Sequence, residues 1–141
     1  MAADWHLSGL PRFVGNVTAT GERASLVLTL AERLPDGTDR AFNFAAQSLN
    51  HVGSLAAGRS SIAGLRQQVD LQFFPQDDVV HKGSRLVLIA AGNTANSLDP
   101  GPGLQPVSDG STITLDLAGS RLLLPVDHSI VAEDPQPYDD A

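Results

Sequence analysis

The segment from residue 69 to residue 92, VDLQFFPQDDVVHKGSRLVLIAAG, limits the possible folds of this chain more than any other. It starts with an alternating apolar run, passes a Pro-Asp corner and a glycine turn, and ends in a run that is apolar almost throughout. Alternation with a period of two indicates a strand with one buried face, and a fully apolar run is typical of a strand covered on both faces. The segment therefore predicts two β-strands joined by a corner, with no catalytic motif.

Similar strand patterns recur along the chain. In residues 24–31, ASLVLTLA, every second residue is leucine, which predicts a half-buried strand. Further strands are predicted over residues 13–18, 41–45, 67–73, 85–91, 111–117 and 121–126. Turn sequences such as Pro35-Asp36-Gly37, Lys82-Gly83 and Ala118-Gly119 separate these runs. Short strands with this spacing predict an all-β sandwich.

Two long connections and a tail complete the chain. Residues 49–65 carry a partial helical pattern that three glycines interrupt, which favours an irregular connection with at most a short turn of helix. Residues 92–110 are rich in proline and glycine and are predicted to cross between the sheets. We expect a sandwich domain over residues 1–127 and an acidic tail over residues 128–141.

The charge distribution excludes several functions. The net charge is −7, and five acids with no Lys or Arg lie in residues 127–141. Since neither part of the chain has a basic patch, we expect no nucleic-acid partner. The chain has no cysteine, which excludes disulfides and a thiol nucleophile. No apolar run is long enough to cross a membrane and no signal peptide is recognisable, so we expect no membrane partner, and the compartment stays open.

Catalytic and metal-binding patterns are weak. No Gly-x-Ser-x-Gly nucleophile elbow occurs, and the four histidines are read as surface residues, so we predict no catalytic residue. Asp77, Asp78 and His81 are close enough in sequence to ligate a metal ion, but acids after a proline more often hold a turn through backbone N–H groups. We therefore predict no metal and no other cofactor.

The corner in the 69–92 segment is predicted to have a structural role. We assign Pro75, Asp77, Gly83 and Arg85 to it, with Asp77 and Arg85 facing each other across a hairpin, either as an ion pair or as separately solvated side chains. A second group, Asp99, Pro100 and Pro102, belongs to a rigid exposed loop, for which a plain crossover between the sheets is favoured and a border with a neighbouring domain is the alternative.

Several motifs together resemble a known family. They are Ser8-Gly9-Leu10-Pro11, Val17-Thr18-Ala19-Thr20-Gly21, Pro35-Asp36-Gly37-Thr38, Pro75-x-Asp77, Gly83-x-Arg85-Leu86 and the closing RLLLPV of residues 121–126. In this order and spacing they resemble the C-terminal domain of the X-Pro dipeptidyl-peptidase and cocaine-esterase (CocE/NonD) family. The family's aromatic-Arg pair is not reproduced over residues 45–51, so details on the substrate side are not carried over.

The resemblance implies a jelly-roll sandwich of the galactose-binding-domain type. Full-length members have an α/β-hydrolase domain with a Ser-Asp-His triad, a helical cap and this domain. The resemblance thus implies an accessory domain without catalysis of its own. It would brace a hydrolase domain or subunit and shape its cleft or assembly, with a homo-oligomer as a further possibility.

Two other functions stay open on the sequence alone. The chain would also suit a free-standing module that binds carbohydrate or peptide, with Trp5, Phe73, Phe74 and Tyr138 as candidate stacking residues, or a purely structural subunit. A binding module is expected to have a concave groove lined by aromatic residues. An accessory domain is expected to expose one flat apolar face.

Overall fold

A computed structural model describes residues 1–20, 24–49, 64–92 and 112–127. These residues form nine strands: β1 Trp5–Gly9, β2 Arg12–Ala19, β3 Ser25–Arg33, β4 Asp39–Ser48, β5 Arg66–Gln72, β6 Gln76–Val80, β7 Arg85–Ala91, β8 Ile113–Leu123 and β9 Val126–Asp127. The strands pair antiparallel throughout. The predicted all-β sandwich is confirmed, whereas its jelly-roll topology stays a prediction.

The strands form two layers. Their pairing gives three sheets, with the orders β6–β1–β9, β5–β2–β8 and β4–β3–β7. The first two sheets continue each other, because β1 leads into β2, β5 into β6 and β8 into β9, each across two or three residues. They therefore make one bent layer. At the bend Gly9 has a φ of +126° and lies against Pro125, so the chain needs a glycine there.

The hydrophobic core lies between the bent layer and the β4–β3–β7 sheet. Inward-facing members of the core are Phe13 and Val17 of β2, Val69 and Leu71 of β5, and Leu26, Leu28 and Leu30 of β3. Each set follows the period of two that a strand imposes on its side chains. Burial of each large apolar side chain stabilises the fold by about 1.5–3 kcal/mol.

The burial of β3 and β7 reverses the expectation from sequence. Eight of the nine β3 residues are buried, although the alternation predicted one exposed face. The β7 strand was expected to be covered on both faces, and this prediction is wrong, since Ile89 is 37% exposed and the two alanines after it are also exposed. The position of each strand in the sheet explains the difference. Side chains of β4 and β7 flank those of the central strand β3, whereas β7 has a neighbour on one side only, because it is at an edge of this sheet in the described part of the chain.

The strands predicted over residues 111–117 and 121–126 are replaced by one long strand, β8, which continues through the expected turn, and by the short β9. The predicted turn at Ala118-Gly119 is a bulge inside β8, since Val14 pairs with Arg121 and Asn16 pairs with Asp116. The four β8 residues between these pairs lie opposite the single residue Gly15. Strands β1 and β6 were not predicted, because both are short and β6 begins with polar residues that resemble a turn.

Several predicted features lie outside the described residues. These are most of the connection at residues 49–65, the loop with Asp99, Pro100 and Pro102, and the acidic tail at residues 128–141. Within the described ranges, no helix has the length and apolar character that a membrane crossing requires.

Candidate docking face

The outer face of the β4–β3–β7 sheet, which points away from the core, is apolar. Residues directly opposite each other in an antiparallel pair share a face, so the register defines the rows that cross this side of the sheet. Three adjacent rows are apolar except for Thr29, namely Ala41–Ala31–Val87, Phe44–Thr29–Ile89 and Ala46–Val27–Ala91, and the charged row Asp39–Arg33–Arg85 lies at one end of them. Phe74 extends the middle row, because its ring centroid is 5.1 Å from that of Phe44. We call the three apolar rows together with Phe74 the apolar outer face.

The outer face of the β5–β2–β8 sheet has the opposite character. Its register places Arg12, Val14, Asn16, Thr18, Arg66, Gln68, Asp70, Gln72, Thr114, Asp116, Arg121 and Leu123 on one side. Two exposed ion pairs cross it, Arg12–Asp70 and Arg66–Asp116. The hydrogen bond from Arg12 lowers the pKa of Asp70. We call this surface the polar outer face.

Parts of the apolar outer face are accessible. Phe74 is 58% exposed and Ile89 is 37% exposed, and three of the four alanines in the side rows, Ala41, Ala46 and Ala91, are exposed as well. The central residues Val27, Thr29 and Ala31 are buried. An antiparallel sheet that meets water normally carries polar side chains on that side. The exposed apolar residues on either side of the buried centre are therefore a candidate contact surface.

The strongest electrostatic cluster surrounds Glu32, at the end of the inner face of the same sheet. The Glu32 side chain has no exposure to solvent. Its Oε2 accepts hydrogen bonds from Arg40 Nε at 3.0 Å and Nη2 at 2.8 Å. Its Oε1 accepts the His81 backbone N–H at 2.7 Å and the ring Nδ1–H at 2.9 Å. Arg40 also donates to Asp78 Oδ1 at 2.9 Å, so the cluster ties β3, β4 and β6 together.

Glu32 is held in its ionised form. Burial alone raises the pKa of this carboxyl, but hydrogen bonds from the His81 backbone, Arg40, the His81 ring and Ser84 together outweigh burial and lower the pKa to about 2. Since an ionised carboxylate only accepts, His81 Nδ1 carries the proton. Because the Glu32 carboxylate is buried, loss of any of these donors leaves a charge without a hydrogen bond and away from water, which is costly.

The cluster resembles a Ser-His-Glu triad in composition but not in geometry. In a triad the histidine takes a proton from a serine that substrate can reach. Here Ser84 is only 2% exposed, and its hydroxyl bonds to Glu32. The arrangement holds the turn at residues 81–84 against the sheet and offers no accessible nucleophile.

The predicted ion pair between Asp77 and Arg85 is wrong. Asp77 lies on β6 and pairs with His6 of β1. Arg85 begins β7 and lies opposite Arg33 of β3, so it belongs to the other layer. The two strands do not form a hairpin, because the chain passes from one layer to the other at Lys82-Gly83, where Gly83 has a φ of +87°. Pro75 directly precedes β6, and the structural role of the four predicted corner residues stays a prediction.

The acids and histidine considered for a metal site point to different partners. Asp77 bonds His6, Asp78 bonds Arg40 and His81 bonds Glu32. Within the described ranges no group of three or more His, Asp or Glu side chains converges. The other two histidines, His51 and His128, lie outside these ranges.

The exposed aromatic residues and the cavity give little support to ligand binding. Trp5 is 40% exposed on β1, in the bent layer. The contact between aromatic rings in the described part of the chain joins Phe44 and Phe74 and does not include Trp5, so these residues do not form a common stacking site. A cavity between β3, β7 and β8 is lined by Leu26, Ala90, Ala91, Gly92, Ile113 and Leu115. None of these side chains carries a polar group that would orient a substrate.

Sequence reasoning did not select Glu32, Arg40 or Asn43. One signal for Glu32 was present, because it continues the inward-facing series of Leu26, Leu28 and Leu30 at the next second position. A charge at such a position predicts a buried partner. Nothing in the local sequence identified the partners, because Arg40 and His81 are brought close to Glu32 only by strand pairing and the layer-crossing turn.

Comparison with known proteins places these features in context. A sequence model of the family described as X-Pro dipeptidyl-peptidase C-terminal non-catalytic domain matches residues 1–125. The sequence matches no curated protein.

Three solved structures show the same fold at low sequence identity. An α-amino acid ester hydrolase labelled with selenomethionine has a TM-score of 0.74 at 13% identity, with 90% of this chain and 24% of that chain covered. A CocE/NonD family hydrolase from Staphylococcus aureus has a TM-score of 0.64 at 14% identity, with 90% and 29% covered. An aminopeptidase from a marine sediment Thaumarchaeota archaeon has a TM-score of 0.59 at 11% identity, with 62% and 16% covered. The chain thus spans less than a third of each of these proteins.

Proposed function

Because the chain belongs to the family of X-Pro dipeptidyl-peptidase C-terminal non-catalytic domains, we propose that it is the accessory sandwich of a larger serine hydrolase. In this proposal it contacts the α/β-hydrolase domain or subunit through the apolar outer face. It braces that domain and shapes its cleft, while the catalytic residues lie outside this chain. The parent enzyme cleaves an X-Pro peptide bond, or an ester or amide, by acyl transfer.

The apolar outer face is the observation that carries the proposal. Its three rows place nine residues side by side with Thr29 as the only polar one, and charge begins only in the end row Asp39–Arg33–Arg85. The polar outer face instead has five charged residues spread over its twelve positions. Burial of apolar surface is the main favourable term in association between domains. The polar outer face is therefore suited to water, and the apolar outer face to a protein partner.

Side-chain footprinting by hydroxyl radicals tests this assignment. The isolated 141-residue chain is compared with the parent hydrolase that contains it. We expect Phe74 and Ile89 to be labelled in the isolated chain and protected in the parent. Leu117 and Leu123, which are 77% and 51% exposed and lie on β8, are the matched controls and stay labelled in both. Equal labelling of Phe74 and Ile89 in both samples would refute the docking assignment.

The absence of catalysis is tested separately on the isolated chain. We expect no hydrolysis of an X-Pro nitroanilide or a nitrophenyl ester, because Ser84 is buried and bonded to Glu32 instead of a histidine. Turnover by the pure chain, retained after Ser84→Ala, would place a nucleophile elsewhere in these 141 residues and overturn the proposal.

A further inference from the structure

Phe74 is an exposed aromatic residue on a backbone that is fixed on both sides. Its ring is 58% exposed, whereas the preceding residue, Phe73, is 2% exposed and belongs to the core. The Phe73 backbone N–H donates to Pro11 O at 2.9 Å. The following residue is Pro75, whose ring restricts the backbone. The chain therefore holds Phe74 in one position at the surface.

One buried amide aligns the two aromatic residues of the apolar outer face. Asn43 is 5% exposed, and its Oδ1 accepts the backbone N–H of Phe44 at 2.8 Å and that of Phe74 at 3.2 Å. Its Nδ2 donates to Phe74 O at 2.8 Å and to Gln76 Oε1 at 2.6 Å. Three of these four hydrogen bonds hold the segment that presents Phe74, and the fourth is made to Phe44 on β4.

A fixed, exposed aromatic ring has the properties of an interface anchor. Residues that dominate binding free energy are often aromatic and enter closely packed pockets on the partner. A side chain that is already ordered loses little conformational entropy on binding, so more of its burial free energy favours association. The tilted contact with Phe44, at 57° between ring planes, restricts the ring of Phe74 further.

Residue 1 lies beside the start of β7, at one end of the sheet that carries the apolar outer face. The Met1 nitrogen donates to Ser84 O at 2.8 Å, and Gly83 N donates to Met1 O at 3.1 Å. Arg85 follows directly and begins β7, a strand of the apolar outer face. Any segment that precedes residue 1 in a longer chain therefore emerges at one end of this sheet, and the solved relatives are more than three times as long as this chain.

We propose that Phe74 is the anchor of the contact with the hydrolase domain, inserted into an apolar pocket there, and that Asn43 acts through Phe74 by holding it in place. This inference rests on the proposed function and adds the residue on which the contact depends. It commits to the hydrolase domain as the occupant of the face, in preference to a second copy of the chain.

The test measures footprinting of Ile89 in the parent hydrolase, with Phe74→Ala as the variant. We expect the labelling rate of Ile89 to rise about tenfold or more, since loss of an interface anchor shifts association by at least that factor. Leu123→Ala, a truncation on the polar outer face, is the matched control and leaves Ile89 protected. The melting temperature of the isolated chain is measured for both variants, and we expect little change because both side chains are exposed.

The outcomes separate the two proposals. If Ile89 is unprotected in the wild-type parent, the docking assignment fails, and the anchor fails with it. If Ile89 is protected and Phe74→Ala leaves it so, the anchor alone is refuted. If the protection of Ile89 disappears when the parent is diluted, a second copy of the protein covers the face, and the anchor in the hydrolase domain is refuted as well.

A double-variant cycle tests the role of Asn43. If Asn43 acts through Phe74, then Asn43→Ala raises Ile89 labelling in the wild-type background and adds nothing in the Phe74→Ala background. An equal increase in both backgrounds would show that Asn43 affects the fold in general. The Phe74→Ala result stands by itself if Asn43→Ala does not fold.

Discussion

In the β5–β2–β8 sheet the charged side chains lie on the outer face, whereas in the β4–β3–β7 sheet the strongest charge cluster lies at the end of the inner face, around Glu32. The first arrangement is usual for a sheet with water on one side. In the second sheet the outer face is apolar except at the end where Arg33 pairs with Asp39 beside Arg85. This difference is what the proposed docking of the β4–β3–β7 sheet against a hydrolase domain requires.

The largest effect is expected from removal of the buried charge. Glu32→Ala removes the acceptor of the His81 N–H groups and of the buried Ser84 hydroxyl and one of the two carboxylates that bind Arg40. Because several hydrogen bonds to a buried charge are lost together, we expect the free energy of unfolding to fall by about 3–5 kcal/mol. Urea unfolding at pH 7 measures this loss. Asp70→Ala, which removes an exposed partner on the polar outer face, is the matched control and shifts the urea midpoint only slightly. Equal shifts of the urea midpoint for the two variants would show that the buried Glu32 cluster stabilises the fold no more than an exposed ion pair does.

The second effect is a dependence of stability on pH. The pKa of Glu32 is about 2 in the folded state against an ordinary value of 4.5. A lowered folded-state pKa gives stability that is complete above pH 4.5 and is lost as the pH falls from 4.5 toward 2. This difference corresponds to about 3 kcal/mol. We expect the urea midpoint to fall over this interval, and Glu32→Gln to remove most of that fall. A profile that is the same in wild type and variant would show that other carboxyls cause acid unfolding.

The third effect concerns the two outer faces directly. With its partner domain absent, the isolated chain should self-associate through the apolar outer face as its concentration rises. Ile89→Lys places a charge there, and we expect the association constant from sedimentation equilibrium to fall about tenfold. This factor corresponds to about 1.4 kcal/mol. Leu123→Lys on the polar outer face serves as the control. If both lysine variants associate as wild type does, the contact between copies uses another surface.

The smallest effect is expected from the polar outer face alone. The Arg66–Asp116 ion pair has exposed fractions of 61% and 37% for its side chains. Because water screens such a pair, Arg66→Ala should cost less than about 1 kcal/mol, with no further change in 1 M salt. Thermal unfolding at low and high salt provides the measurement. A large loss that salt abolishes would mean that the polar outer face contributes to stability as much as the Glu32 cluster does.

The strand prediction was reliable where a strand is long and its apolar pattern is regular. β2, β3, β4, β5 and β7 all lie close to their predicted ranges, because each shows the period-two pattern or an apolar run between turn residues. The turn at Pro35-Asp36-Gly37 was also correct. Asp36 accepts the Thr38 N–H at 2.8 Å, and Gly37 takes a φ of +89° that suits glycine.

The candidate site was less accessible to sequence reasoning. An exposed apolar face was expected for an accessory domain, but the residues that form it were not identified. Val27 and Thr29 looked like the polar side of a half-buried strand, and Ile89 looked like part of a doubly covered one. Neither assignment could be corrected locally, because burial depends on which strands lie beside and across from each residue.

Local pattern, composition and motif order were sufficient to predict the fold class, the approximate strands and the family resemblance, and to show that no nucleophile elbow occurs. The folded structure was needed to show that β6 and β7 belong to different layers, that Asp77 pairs with His6 instead of Arg85, and that Glu32 is buried in a hydrogen-bonded cluster. It also placed Phe44 and Phe74 together on the apolar outer face. These contacts join residues from 30 to more than 70 positions apart, and their partners are set by sheet order and register, which the hydrophobic pattern of any one strand does not contain.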